Sequence, residues 1–468
     1  MVKEKMKPNQ FRRNMITAIF AQLVSFGVSI IMSIIIPRYM EVAEYGYWQL
    51  FIFWLNYVGI SHFGWIDGIY LRTLGKDYDK LEYPIYGTQF WALIVQQLIM
   101  AVVIIAIGSK SSEQNRFVVY SAVAIYMILY NLTYYLGYIF QATNRTEIYS
   151  KSVMIDKAIY FAFLLVLVLY KCADYRLYIG FYFISRIVAF SYCLIKGKKI
   201  ILAKTAFNAQ IPKEICENIK VGINLVVGNL AGSFVIGCGR MVVDWHWGIE
   251  AFSIFSFSIT LVNFFLMFIG QISMVLLPAL KCSNEENQKI NFNKMRILLP
   301  ALLLGLMVFY VPGKEILSLW LPKYRQSLTY MAILLPICIF DGKMQLVSNV
   351  YLKMLRREDM ILKINLICVG AAAILSAIAA ICFESVEMVM IALVVVIGIR
   401  SVFAEKYLER LLTVKHNGMI LWELLLSMIF VTSNLLATEM KAFLIYSVCY
   451  IVYAILNAKS IRKYVLNA

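Results

Sequence analysis

The residues in this sequence with most chemistry to offer are ionisable side chains standing inside long apolar runs. Arg186 lies about ten residues from either end of one run, and Asp341 with Lys343 lies near the middle of another. A charge at the bilayer centre costs about 2.5–3.5 kcal/mol on insertion scales, so such groups pair, face a wet cavity or snorkel to an interface. Depth makes snorkelling difficult for these three. That leaves a substrate path or a structural ion pair for each. Lys157, Lys220 and Arg400 lie within about two turns of the ends of their runs, where long stems carry charge to the headgroup layer. Asp156 beside Lys157 and Glu405 beyond Arg400 are available to compensate those charges. Arg38 and Arg240 end their runs and read as interfacial anchors.

Polar but uncharged side chains form stripes. Lys220, Asn224, Gly228 and Gly232 recur every four residues on one helix face, as do Ser256, Thr260, Asn263, Met267 and Gln271. Gln22, Ser25, Ser29 and Ser33 make a third stripe. Such faces pack helix against helix in lipid or line an aqueous cavity. Gly270, Pro278, Pro300, Pro312 and Pro336 mark places where helices bend or end.

Catalytic patterns are missing. His62, His246 and His416 are isolated, and neither a metalloprotease HExxH, a nucleophile elbow nor a Walker A sequence occurs. Nine cysteines are scattered without CxxC or Cys/His spacing and read as small buried hydrophobes, so neither a metal nor another cofactor is expected. The chain does not read as an enzyme.

The elements that must hold these residues are membrane helices. Of the 468 residues 61% are hydrophobic and 15% charged, where a soluble domain has about 45–50% and about 25%. Charge clusters, Pro and Gly divide the chain into spans near 15–37, 47–66, 85–108, 117–140, 153–170, 177–196, 219–239, 250–280, 297–317, 329–352, 361–383, 387–405, 419–437 and 441–458. The expectation is an all-α polytopic membrane protein of about fourteen transmembrane helices, with the first span uncleaved. The net charge of +17 sits in short clusters between spans rather than in a nucleic-acid-binding stripe, so topology accounts for it. The N-terminus, every second loop and the C-terminus hold 29 Lys and Arg against 10 in the intervening loops, which places both termini in the cytoplasm.

Aligning the first and seventh spans at an offset of 202 residues matches Gln22 with Asn224, Arg38 with Arg240 and Gly46 with Gly248. Repeated halves are a common transporter plan. The expected organisation is an N-terminal six-helix lobe (1–196), a basic cytoplasmic linker (197–218), a C-terminal six-helix lobe (219–405) and two additional helices (406–468).

The start Phe11-Arg12-Arg13-Asn14 leads into a span with Gln22, followed by Pro37-Arg38-Tyr39, Glu44-Tyr45-Gly46-Tyr47-Trp48 and Gly64-Trp65-Ile66-Asp67-Gly68-Ile69. In these segments the chain resembles the bacterial polysaccharide flippases, the Wzx-type O-antigen, capsule and exopolysaccharide repeat-unit transporters. These belong to the MOP superfamily, which includes MATE exporters and lipid II flippases. The resemblance extends more loosely over the whole chain through its halves, linker and span count.

It implies two lobes around a central cavity that opens alternately to either side of the bacterial cytoplasmic membrane. The implied cargo is an oligosaccharide repeat unit on undecaprenyl diphosphate, with a polysaccharide polymerase and assembly proteins as further partners beside the lipid bilayer. A diphosphate needs positive partners in a low-dielectric site. Arg186, Lys220, Lys343 and Arg400 are the candidates to hold it, with Asn224 among the amides that bind sugar, and Asp67 and Asp341 are candidates for ion coupling. Alternatives are a MATE-like small-molecule exporter, for which intramembrane acids would be favoured, a membrane polysaccharide polymerase or ligase, which would carry a sizeable outer loop, and a non-transporting scaffold.

Overall fold

The computed structural model describes residues 8–205, 210–281, 284–415, 418–459 and 462. The side chains of Phe11, Arg12, Arg13, Asn14, Gln271 and Pro278, together with His416, lie outside the described residues. The helices are α1 Pro8–Tyr39, α2 Val42–Leu55, α3 Trp65–Thr73, α4 Tyr83–Gly108, α5 Gln114–Ala142, α6 Thr146–Leu169, α7 Tyr175–Lys196, α8 Lys198–Ile201 and α9 Gln210–Lys281. They continue with α10 Glu285–Leu306, α11 Tyr310–Trp320, α12 Arg325–Leu334, α13 Pro336–Lys343, α14 Asn349–Met354, α15 Glu358–Phe383, α16 Val386–Leu412, α17 Met419–Leu436 and α18 Glu439–Leu456.

Among the described residues, eleven helices are long and apolar enough to cross a bilayer, or twelve with the pair Pro322–Leu334 and Pro336–Met354, bent by 48°, taken as one span. Two breaks account for the difference from fourteen. α9 is interrupted at Gly248 (φ 78°, ψ −168°), so one apolar stretch within it holds two helices. The second span, expected as a continuous helix, is broken by a 3₁₀ segment at Val58–His62, with Phe63 and Gly64 both at positive φ. Backbone freed at membrane depth must find partners inside the protein. Asn131 supplies them: its amide donates to the Val58 carbonyl at 3.2 Å, to Ser61 Oγ at 2.8 Å and to Gln97 Oε1 at 2.8 Å, while Gln96 donates to the Ser61 carbonyl at 2.5 Å.

The chain forms two compact units, Met1–Leu230 and Ala231–Ala468, and the boundary falls inside α9. In the first unit, Trp65, Ile66, Ile69, Phe90, Leu132, Tyr135, Leu136, Ile139 and Phe140 build a buried core between α3, α4 and α5. The first turns of α9 dock on α3 through glycines. A Cβ at Gly68 would lie 1.9 Å from the Asn218 carbonyl oxygen, and one at Gly222 would lie 2.0 Å from that of Gly64, so side chains are excluded there. Arg72 clasps the same seam, reaching Glu214 at 2.7 Å, Glu217 at 2.9 Å and Asn218 Oδ1 at 2.8 Å.

Loops of this unit sort into two sides. Asp79 bonds Lys199 at 2.9 Å and Arg145 at 2.8 Å, which gathers three cation-rich segments and holds the Asp79 carboxyl below the usual carboxylate range. At the opposite helix ends, Glu44 accepts from the Tyr175 backbone amide at 3.1 Å, and Tyr47 reaches Glu113 at 3.1 Å.

In the second unit, Leu280, Phe292, Val347, Tyr351, Ile361 and Leu408 form a buried cluster. The α13 and α14 helices are joined by a π-helical turn at Met344–Ser348. Single π turns inside α-helices are frequent at functional sites.

Candidate functional site

The 22-residue α7 places Arg186 in its middle and almost fully buried. Its NH1 lies 3.4 Å from Asp156 Oδ2 on α6, and Ser185 donates to Asp156 Oδ1 at 3.0 Å. The guanidinium carbon sits 5.0 Å from the ring centre of Tyr130 and 5.7 Å from that of Tyr126, while Nε has no hydrogen-bond partner. Asp156 therefore serves Arg186 rather than its neighbour Lys157, because consecutive helical residues point in different directions. The half-buried Lys157 ammonium instead lies 5.4 Å over Tyr182. This locus holds two cations and one acid inside a ring of tyrosines.

Asp67, on α3, is buried with its Oδ2 3.6 Å from His62 Nε2. The Gly64 backbone amide donates to His62 Nδ1 at 3.2 Å, so a neutral imidazole carries its proton on the nitrogen facing Asp67. The pairing was invisible in sequence because it depends on the break at Phe63 and Gly64. Lys220 and Asn224 are exposed on α9.

The second unit pairs Asp341 with Arg400 and gives Lys343 other partners. Two residues apart on α13, Asp341 and Lys343 diverge. Arg400 bonds Asp341 through NH2 and the Gly232 carbonyl through NH1 at 3.2 Å. Arg400 is 3% exposed, not at an interface as expected from the end of its apolar run, because α16 continues twelve residues further to Leu412. Lys343 lies 2.5 Å from Glu405 and 2.7 Å from Glu423 on α17, with all three side chains at most 2% exposed. Glu423 escaped the sequence reading. It opens the thirteenth span one turn into α17, where its signal is the same as that of Arg186: a charge inside an apolar run.

On another face of this unit, α12, α13, α16 and α17 enclose an apolar groove of about 610 Å³, lined by residues including Phe340, Ile399, Phe403, Met428 and Leu435. Lys406 closes one end and also lines a smaller polar pocket with Glu409, Arg410 and Thr413. Along α16 the groove runs from Ile391 to Lys406, about 22 Å at the helical rise.

No protein-family model matches the chain, and no curated protein matches it in sequence. Solved structures do. A lipid II flippase MurJ in an inward closed conformation aligns with a TM-score of 0.65 at 14% identity, covering 96% of this chain and 99% of that one. An inward-facing multidrug resistance MATE family transporter of the MOP superfamily aligns with a TM-score of 0.64 at 10% identity, covering 84% and 94%. A MOP superfamily transporter from Pyrococcus furiosus gives 0.52 at 8% identity, covering 86% and 95%. The chain has the all-α polytopic fold of the MOP superfamily transporters.

Proposed function

We propose that this protein is a flippase that moves an oligosaccharide on a polyprenyl diphosphate carrier across the bacterial cytoplasmic membrane by alternating access. The observation that carries this reading is the Arg186 locus. Two cations and one carboxylate sit at membrane depth, and the buried guanidinium keeps an unpartnered Nε. A buried guanidinium with donors to spare beside a second, half-buried cation is completed by an anion, and its planar fork suits the oxygens of a diphosphate. Separately, the 610 Å³ apolar groove ending at Lys406 offers a lipid chain an apolar surface about 22 Å long. One structural neighbour is a lipid II flippase, whose fold this chain shares over nearly its whole length.

Lys220 and Asn224, exposed on α9, remain candidates for contacts with cargo. Lys343 and Arg400 already have acid partners, so under this reading they act on cargo only if those pairs open. Asp67 and Asp341 are the proposed ion-coupling groups. We assign the lobes to 1–196 and 219–405, joined by the basic linker, with 406–468 as two additional helices and a polysaccharide polymerase as downstream partner.

The test is reconstitution. Proteoliposomes carrying a labelled polyprenyl diphosphate oligosaccharide in the inner leaflet should expose it to an external glycosidase only when the protein is present. Equal exposure in protein-free vesicles, or transport of small cationic dyes in its place, would overturn the reading.

A further inference from the structure

α5 carries tyrosines at 126, 130, 134 and 138. A four-residue step is just over one helical turn, about 6 Å, so the four hydroxyphenyl groups form one ladder about 18 Å long. Their rings follow one another at 6.2, 5.6 and 4.0 Å between centres, and the first two steps are close to parallel, at 30° and 19°. Tyr70 on α3 extends the surface, its ring centre 4.7 Å from that of Tyr138, and the His62 ring lies 6.4 Å from Tyr134.

Core packing accounts for the ladder only in part, since Tyr134 and Tyr138 touch the buried core yet keep accessible surface. The same helix fills the core with Leu132, Tyr135, Leu136, Ile139 and Phe140, all buried, whereas Tyr130, Tyr134 and Tyr138 remain half-buried. Lipid does not account for the rest. Arg186 stands over Tyr130, and the His62–Asp67 pair flanks Tyr134, and ionisable groups at that depth face a protein interior or water. The ladder runs from the Arg186 locus toward the end of α5 that is followed by Arg145.

We propose that the Tyr130, Tyr134 and Tyr138 face of α5 is a saccharide-binding surface. The proposal rests on the reading of the cargo as a lipid-linked oligosaccharide, and it assigns the sugar portion to this face. A pyranose presents an apolar C–H face and a rim of hydroxyls. A tyrosine offers a flat ring for the first and a donor-acceptor hydroxyl for the second. The spacing of one turn is comparable to the length a sugar residue adds to a chain, so successive sugars meet successive rings. Arg186, at one end, meets the anionic linkage. Stacking tolerates different sugars and gives no deep minimum, which suits a cargo that must leave.

The experiment uses the full-length protein in lipid nanodiscs and two kinds of probe: farnesyl diphosphate, and farnesyl diphosphate bearing a linear trisaccharide of glucose, galactose or N-acetylglucosamine. The wild type should bind at least one sugar-bearing probe about tenfold more tightly than farnesyl diphosphate. Tyr134→Ala and Tyr138→Ala should each remove most of that preference and leave farnesyl diphosphate binding unchanged. The Tyr130 ring also packs on Arg186, so Tyr130→Ala should remove the preference and weaken farnesyl diphosphate binding as well. The matching Tyr→Phe changes should keep most of the preference. Where alanine unfolds the protein, Tyr→Leu fills the space without a ring and should behave as alanine is expected to. A sugar preference that survives both alanine and leucine overturns the saccharide surface and leaves the flippase reading intact, as does a wild type that binds all probes equally. A wild type that binds none of them overturns both.

Discussion

Arg186 and Asp156 face each other at 3.4 Å across α7 and α6, an ion pair long enough to leave the guanidinium with capacity for a second anion. Arg186→Ala should abolish transport while the protein still inserts normally, and Arg186→Lys should retain part of it, since the charge stays and the planar fork is lost. The measurement is surface polysaccharide per unit of membrane-inserted protein. Unchanged output from Arg186→Ala would remove this residue from the cargo path. A structural clamp would show itself differently, as a fall in folded protein that Asp156→Asn restores.

The Lys343 ammonium lies between Glu405 and Glu423, so it is predicted to be structural in the resting state. Lys343→Met leaves two buried carboxylates without their cation, and breaking a buried pair costs about 3–5 kcal/mol. The folded fraction recovered in detergent should fall sharply. Combining Lys343→Met with Glu405→Gln and Glu423→Gln should return most of it. Normal recovery of the single variant would show that the triad contributes little.

Gly68 and Gly222 hold the first turns of α9 against α3 at backbone contact, whereas a Cβ at Gly180 would meet nothing within 4 Å. Gly68→Ala and Gly222→Ala are each expected to cost about 1–3 kcal/mol through overpacking. Gly180→Ala should be neutral or raise stability by about 0.5–1 kcal/mol, as expected in a helix interior. Thermal unfolding in detergent distinguishes the sites. Equal midpoints for all three would mean that the seam yields without strain.

Asp79, Arg145 and Lys199 meet at one side of the first unit, and Glu44, Glu113 and Tyr175 lie at the other helix ends. In a background without native cysteines, Lys204→Cys should therefore react with impermeant maleimide only from the cytoplasm and Ser112→Cys only from outside. The reverse pattern would invert the orientation drawn from the Lys and Arg distribution.

By itself the sequence determined the fold class, because unbroken apolar runs of about 20 residues have one stable solution in lipid, the helix that satisfies its own backbone. It also placed Arg186, Asp341 and Lys343 inside apolar runs, where charge is expensive. Partners were another matter. The pairing of Arg186 with Asp156, of Arg400 with Asp341, and of Lys343 with Glu405 and Glu423 depends on which helices are neighbours and how they are rotated, and apolar periodicity in lipid leaves both open. The break in the second span was hidden for a related reason. Its exposed backbone is satisfied by Asn131 and Gln96, which lie 73 and 35 residues further along the chain. Only the tertiary structure could decide that a helix may open there, because only it brings the compensating hydrogen bonds to that depth.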